Sequence, residues 1–175
     1  MMAVCISSFT AHKSSRADFT PFRSTRTKTG LANRPPLTQG KDKIMITKSL
    51  VEEKDRLNFL PHYFGENYLR YELLVFLFAD KFCDEYHGGY WDFYHLSNSC
   101  PLMVLSSESC HKVVNDMNFF TDAMSSEAMS VGVNIFAMYA LLEETRDSDL
   151  IHYYRTLKEF ASEHIEASKI MRFID

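Results

Sequence analysis

The residues with the most evident chemical potential form one aromatic run, YWDFYH at positions 90 to 95. Flat rings at this density can stack nucleic-acid bases, as the sheet platforms of RNA-binding domains do. They can also fill a core, because alternation puts Trp91 and Phe93 on one face of a strand. Base-stacking platforms are flanked by Lys and Arg, whereas the nearest charges here are Asp84, Glu85 and Asp92. Burial of the rings is therefore the favoured interpretation.

The cysteines and histidines do not form a metal-binding pattern. The four cysteines are irregularly spaced, and none belongs to a CxxC pair: Cys5, Cys83, Cys100 and Cys110. His95 and His111 are the nearest histidines, but no HxxxH pair completes a zinc set. We therefore predict no metal site and reduced, free thiols, with Cys83 as a small core residue of a helix.

Enzymatic signatures are missing from the sequence. The motifs GxxxxGK[ST], GxGxxG, GxSxG and HExxH do not occur, and each would carry a defined mechanism. Adjacent carboxylates occur at Asp84-Glu85 and Glu143-Glu144, where they are typical of solvated helix ends rather than of acid/base pairs. No nucleophile has a credible neighbouring base, so we predict neither an enzyme nor a cofactor.

Charge is divided unequally along the 175 residues. Residues 1–43 carry eight Lys/Arg against two Asp, a net +6, and residues 44–175 carry eleven Lys/Arg against twenty-one Asp/Glu, a net −10. An acidic body repels phosphate backbones, so we expect no direct DNA binding by it, while a basic partner or mimicry of DNA stays open. The longest apolar run, 73–79, is too short for a membrane helix, so we expect a soluble protein, and the predicted reduced thiols indicate a cytoplasmic one.

The first 43 residues have the composition of a disordered basic extension, rich in Ser, Thr, Arg and Lys without an apolar period. Three interpretations compete. Translation starts naturally near Met45, the segment is a loose basic tail, or it is a targeting presequence. The first is preferred for a reason given below, and residues 44–175 are predicted to form a single domain.

The apolar patterns predict an α+β fold. A helix over 66–86 has Leu69, Leu73, Phe76 and Leu77 as its stripe and is apolar on nearly all sides, which predicts a central buried helix. Short segments at 90–96, 101–105 and 111–116 predict a small three-stranded antiparallel sheet, because the turns between them are too short for parallel crossovers.

Two long helices are predicted to complete the fold, over 125–145 and 149–172. Ser125 is a suitable N-cap for the first of them, with Glu127 in the favoured acidic first turn. His164 falls on the apolar stripe of the second helix and is predicted to be a hydrogen-bonded core histidine.

Two long motifs, in the right order, resemble a known family. RLNFLPHYFG at 56–65, followed by a helix and then GGYWDFYHLSN at 88–98, is similar to the antirestriction proteins of the ArdB/KlcA type. The resemblance continues at 124–144 and 153–175 and covers nearly all of residues 50–175. Relatives begin a little upstream of the first motif, which is the reason for preferring a start near Met45.

The resemblance implies a compact α+β domain, carried by plasmids, phages and genomic islands, that protects incoming DNA from host type I restriction enzymes. It implies no catalysis and no cofactor. The chain departs from the family pattern in two places. Ser99-Cys100-Pro101 follows Asn98 where relatives have a Gly-Gly-aromatic turn, and Ser130 stands where relatives have a glycine. Proline cannot donate to a ladder, so we expect the second strand to be shortened or to lie at an edge.

The leading hypothesis is a monomeric, non-enzymatic antirestriction protein that contacts the type I restriction enzyme or an associated host factor. DNA mimicry is less favoured, because acids and bases are mixed on ordinary helix faces. The alternative is a nucleic-acid-binding module that uses the basic N-terminal arm and the aromatic strand. Ser97, Asn98 and Ser99 are the candidate contact residues, since polar loop residues on a rigid sheet are common contact points. They are also standard turn residues.

Overall fold

The computed structural model describes residues 45–175, so the predicted extension over 1–43 lies outside the described residues. Five strands and five α-helices follow one another in this order: β1 Lys48–Leu50, α1 Arg56–Phe64, α2 Tyr68–Phe82, β2 Trp91–Leu96, β3 Pro101–Leu105, β4 Cys110–Asn115, β5 Phe120–Ser125, α3 Ser126–Thr145, α4 Ser148–Glu163 and α5 Ala167–Ile174. The predicted α+β class is confirmed.

The main sheet is three-stranded and antiparallel, in the order β1-β2-β3. Trp91 lies opposite Leu105, and His95 lies between Ser49 of β1 and Pro101 of β3. The sheet was predicted with three strands, but the assignment of its third strand was wrong. Residues 111–116 contain most of β4, which pairs with β5 in a separate hairpin, and the third strand is β1.

The side chains of α3 explain why β4 does not extend the sheet. Asn134 donates to the carbonyl of Met103 and accepts from its N–H, at 2.8 and 3.1 Å, and Ser130 Oγ accepts from Leu105 N–H at 3.0 Å. These backbone groups lie on the outer edge of β3, where a further strand would have to bind. A covered edge also prevents pairing with another chain.

The central helix is α3 rather than α2. Twelve of its twenty residues are buried, and it packs against α2, α4, α5 and β3. Gly132 allows the closest approach, because a Cβ there would lie 2.4 Å from the ring of Phe173 in α5. Ser125 caps the helix as predicted, with its Oγ accepting from Ala128 N–H at 3.2 Å.

Helix α2 begins and ends inside the predicted range. Of its predicted core stripe, Phe76 packs against the core, and the three leucines do not. Leu69, Leu73 and Leu77 are exposed, while Tyr71 and Val75 on the opposite side are buried. A helix with apolar residues around its whole circumference does not reveal which side packs. That choice is made by α3, which packs against one side of α2.

The predicted helix over 149–172 is divided into α4 and α5. His164 is extended at the break, with φ −66° and ψ 150°, and its Nδ1 accepts the N–H of Glu166 at 3.0 Å. The imidazole is mostly buried, with Nε2 3.8 Å from Glu127. His164 is thus a hydrogen-bonded, packed histidine as predicted, although it lies at a helix end.

The aromatic run of β2 belongs to the core. Phe93 stacks on Phe59 of α1 with ring centroids 5.2 Å apart, and Trp91 donates from Nε1 to the hydroxyl of Tyr86 at 3.1 Å. Trp91 and Phe93 are both buried, as the alternation predicted. Among the described helices, none is long and apolar enough to cross a membrane.

Candidate functional site

The predicted contact residues form the tight loop between β2 and β3. Ser99 N–H donates to Leu96 O, and Leu96 N–H donates to Cys100 O, both at 2.9 Å. Ser99 has φ +64°, in the left-handed region that glycine adopts most easily. A serine therefore occupies a position where the family resemblance led us to expect a glycine.

The loop is held on two sides by its own polar groups. Ser97 Oγ accepts from Thr47 N–H at 3.0 Å, and Ser97 N–H donates to Thr47 O at 2.8 Å. Asn98 Nδ2 donates to the carbonyl of Thr156 in α4 at 2.9 Å. Ser97 and Ser99 are exposed and Asn98 is half-buried. The structure thus brings the three residues together on a rigid support, and their role as contacts stays a prediction.

Aromatic and histidine side chains border this loop. The Tyr63 hydroxyl lies 2.8 Å from His95 Nδ1, and its ring meets that of Tyr153 edge-on at 5.6 Å. Burial, together with nearby Tyr153 and Cys100, raises the pKa of Tyr63. The phenol therefore stays protonated at neutral pH and shares a hydrogen bond with His95.

The cysteine of the loop is chemically inert. Cys100 Sγ lies 3.4 Å from Tyr153 O and 3.5 Å from Pro101 O. Burial raises the pKa of this thiol to about 12, so hardly any thiolate forms near neutral pH. Pro101 is the first residue of β3, an end position of an edge strand where a proline is tolerated, and this confirms the expected edge placement.

The two sequence motifs pack on each other as one substructure. Arg56, at the start of the first motif, donates to Trp91 O at 2.7 Å and lies 3.7 Å from the carboxylate of Asp92. Its guanidinium contacts the rings of Tyr90 and Phe93 at 4.7 and 4.5 Å. Arg56 therefore joins the first motif to the second, and most of the aromatic residues of the two motifs stabilise the fold.

A shallow depression of about 210 Å³ lies where α1 packs beside β2. Its lining comes from both motifs and the turn before α1: Val51, Asp55, Asn58, Phe59, His62 and His95. In residues 45–175, no group of three or more His, Cys, Asp or Glu side chains is arranged to hold a metal ion.

The sequence patterns did not predict one buried pair, formed by a histidine and a serine. His111 Nε2 lies 2.9 Å from Ser126 Oγ, and this hydroxyl lies 3.1 Å from the carbonyl of Ser109. Both side chains are buried, and the contacts tie β4 to the start of α3. The sequence shows only that His111 falls at a buried position of an alternating strand, and this does not identify its hydrogen-bond partner.

Many surface acids are paired with bases. Arg70 donates twice to Glu144, at 2.5 and 2.9 Å, and these hydrogen bonds lower the pKa of the carboxyl. Further ion pairs join strand, loop and helix residues: Lys48 with Glu127, Lys54 with Glu52, Arg56 with Asp92, Lys169 with Glu166 and Asp122, and Arg172 with Asp122. The body is acidic overall, but its charge is interleaved.

The sequence matches known proteins over the same region that folds in this way. A family model described as antirestriction protein matches residues 84–175. Antirestriction protein KlcA of Escherichia coli is 42% identical over 137 residues, which are 74% of this chain and 94% of the relative. The chain belongs to the antirestriction protein family.

Two further similar proteins extend the comparison. The uncharacterized protein YfjX of Escherichia coli strain K12 is 37% identical over 136 residues, 74% of this chain and 88% of the relative. A solved structure is similar with a TM-score of 0.70 and 36% identity, covering 74% of this chain and 95% of that chain. It is described as showing that the KlcA and ArdB proteins have a novel fold and antirestriction activity against type I DNA restriction systems in vivo but not in vitro.

Ser130, which replaces the expected family glycine, has a defined place in this fold. It is fully buried, donates to Ser126 O at 2.6 Å and accepts from Leu105 N–H. Its hydroxyl therefore satisfies an edge group of β3. The substitution is compatible with the fold, since the edge gains a partner that glycine cannot offer.

Proposed function

We propose that this protein is a non-enzymatic antirestriction protein that alleviates type I restriction in the cytoplasm of a bacterial host and so protects incoming plasmid or phage DNA. Family membership carries the proposal. It is supported by the sequence, which contains none of the common catalytic motifs, and by the inert environment of Cys100.

We also propose that the protein acts through contact with another protein. The KlcA and ArdB proteins are described as active in vivo but not in vitro. An inhibitor that needed only to bind the restriction enzyme should also inhibit the purified enzyme. The same behaviour in this chain would require a component of the cell, such as a host factor associated with the restriction enzyme.

DNA mimicry is less favoured on electrostatic grounds. A mimic needs carboxylates spaced like phosphates along an extended surface, whereas Glu144, Glu127 and Glu166 here are each paired with a base. Paired carboxylates attract a DNA-binding groove weakly, since the neighbouring cation cancels much of the field.

The nucleic-acid-binding alternative is less favoured, because part of the aromatic strand on which it depends is buried. Trp91 and Phe93 are buried in the core, so two of the rings of the aromatic run are inaccessible to bases. The other part of that alternative, the basic arm, lies outside the described residues. We propose instead that Ser97, Asn98 and Ser99 contact the protein partner, because their loop is exposed in part and rigidly held.

An efficiency-of-plating assay tests the proposal. Unmodified phage is plated on a type I restricting strain that expresses the full chain, with the empty vector and a non-restricting strain as controls. We expect plating to rise towards the non-restricting level. Plating equal to that of the empty vector would rule out antirestriction activity, provided that the folded protein is detected in the cells.

A second experiment separates the mechanisms. Purified restriction enzyme is challenged with the full chain at increasing salt, with and without a lysate of the host. Protein contact with a host factor predicts inhibition only when lysate is present. A DNA mimic would instead inhibit the purified enzyme alone and lose its effect as salt rises.

A further inference from the structure

Three leucines of α2 form a row on its solvent side, here called the leucine ridge: Leu69, Leu73 and Leu77. Residues four apart lie one above the other on a helix, so the row is about 12 Å long. Their exposed fractions are 60%, 48% and 50%. Single exposed leucines are ordinary, but an aligned row is a contiguous apolar patch of the kind found at interaction sites.

A groove of about 300 Å³ lies between α1 and α2, and its lining from α2, Tyr68 and Glu72, consists of the sequence neighbours of Leu69 and Leu73. Its apolar lining includes Leu57, which is 88% exposed, with Leu60, Pro61, Tyr68 and Phe93. A ridge next to a groove matches the surface into which an amphipathic helix packs its apolar face.

The rim of this surface is acidic. Glu72 lines the groove, Glu66 precedes the ridge by one turn, and Asp80 follows Leu77 by three residues. Two of the three nearby cations are engaged, since Arg70 binds Glu144 and Arg56, which lines the groove, lies beside Asp92. The third, Lys81, follows Leu77 by one turn and lies over the rings of Phe78 and Phe82, so carboxylates still outnumber cations around the surface. No ion pair within residues 45–175 involves Glu66, Glu72 or Asp80.

We propose that the leucine ridge and the α1–α2 groove bind an amphipathic helix of a partner protein whose apolar stripe is flanked by Lys and Arg. The leucines supply the area that is removed from water, and the carboxylates of the rim select a basic helix. A second copy of this chain fits less well, because it would bring the same acids to the rim. This inference rests on the proposed function, because the bound helix would belong to the host factor that is associated with the restriction enzyme.

The first test is a titration of the ¹⁵N-labelled full chain with an ~18-residue Leu/Lys helical peptide, long enough to form a helix on binding. One control peptide replaces every Lys by Glu, and the other replaces every Leu by Ser. We expect amide shifts concentrated in α1 and α2 with the Leu/Lys peptide, and binding at least about tenfold weaker with either control, a difference of ~1.4 kcal/mol.

A protein variant tests the leucines themselves. The double substitution Leu73→Ser and Leu77→Ser is expected to weaken peptide binding about tenfold or more. Leu50→Ser is the matched control, because Leu50 is similarly exposed but lies on β1. Both proteins should unfold at urea concentrations close to that of the parent, since the substituted side chains lie outside the core.

Three results would overturn the inference. They are shifts outside α1 and α2, binding of the Leu/Glu peptide as strong as that of the Leu/Lys peptide, and unchanged binding by the double variant. Sedimentation of the parent as a dimer that Leu73→Ser and Leu77→Ser convert into monomers would assign the ridge to a second copy and would also overturn it.

Plating separates this inference from the proposed function. If the parent relieves restriction and the folded double variant does not, the ridge is required in the cell. If both relieve restriction equally, the inference fails while the proposed function stands. If the parent does not relieve restriction, the proposed function fails and the peptide titration alone decides whether the ridge binds a basic helix.

Discussion

Asn134→Ala is the perturbation whose cost follows most directly from the structure. Asn134 is fully buried in α3 and uses its whole hydrogen-bonding capacity. Oδ1 accepts from the Tyr71 hydroxyl at 2.6 Å and from Met103 N–H at 3.1 Å. Nδ2 donates to Met103 O at 2.8 Å and to Ser130 O at 2.7 Å.

The expected loss of stability can be worked out from these partners. Truncation leaves three buried groups without the amide: the N–H and the carbonyl of Met103 and the hydroxyl of Tyr71. The carbonyl of Ser130 can still accept the helical N–H of residue 134. At ~1 to 3 kcal/mol for each unsatisfied group, with some relief from relaxation, we expect a loss of roughly 3 to 6 kcal/mol. Typical domains have only ~5 to 15 kcal/mol in total.

Urea unfolding of the full chain, followed by circular dichroism, measures this loss. Tyr71→Phe is the graded control, because it removes one donor and leaves Oδ1 bonded to Met103, so about 1 kcal/mol is expected. Asn58→Ala, at an exposed position of α1, should change the free energy of unfolding by less than about 0.5 kcal/mol. A loss below about 1 kcal/mol for Asn134→Ala would refute the reasoning, since β3 would then not depend on α3 for its edge.

The other predictions concern the loop, a thiol and a histidine. Ser99→Gly should raise the free energy of unfolding by about 0.5 to 1 kcal/mol in the same urea assay, because the backbone strain removed at φ +64° exceeds the entropy that glycine adds to the unfolded chain. Ser97→Gly should lower that free energy, since it removes the hydroxyl that accepts from Thr47 N–H. Native Cys110, which is exposed, should react with iodoacetamide in peptide mass spectra while Cys100, whose pKa is about 12, stays unmodified until the chain unfolds. Burial lowers the pKa of His164 below its unfolded value near 6.5, so the unfolded chain binds more protons and the urea midpoint should fall as pH drops from 7 towards 5, less steeply in His164→Gln.

Local signals in the sequence predicted several elements correctly. Ser125 followed by Glu127 marked the start of α3, because an N-cap and an acidic first turn act over neighbouring residues. Alternation in β2 predicted that Trp91 and Phe93 share a buried face, since the period of a strand is independent of its neighbours. The two long motifs carried the family, which neither composition nor spacing could give.

The candidate site was predictable only in outline. Turn chemistry placed Ser97, Asn98 and Ser99 in a loop, and the structure confirms that location. Their hydrogen bonds to Thr47 and Thr156 join segments that are distant in sequence. No local pattern encodes such partners, so the rigidity of the loop was invisible in the sequence.

By itself, the sequence determined the family, the α+β class, the main helices and the alternation of β2, because each depends on neighbouring residues or on long motifs. Only the tertiary structure decided which side of α2 packs and which strand completes the sheet. Apolar residues around α2 look alike in the sequence until α3 packs against one side of the helix. The edge of β3 is closed by Asn134 and Ser130, two polar residues on an apolar helix, and only their distance to the β3 backbone shows what they bind.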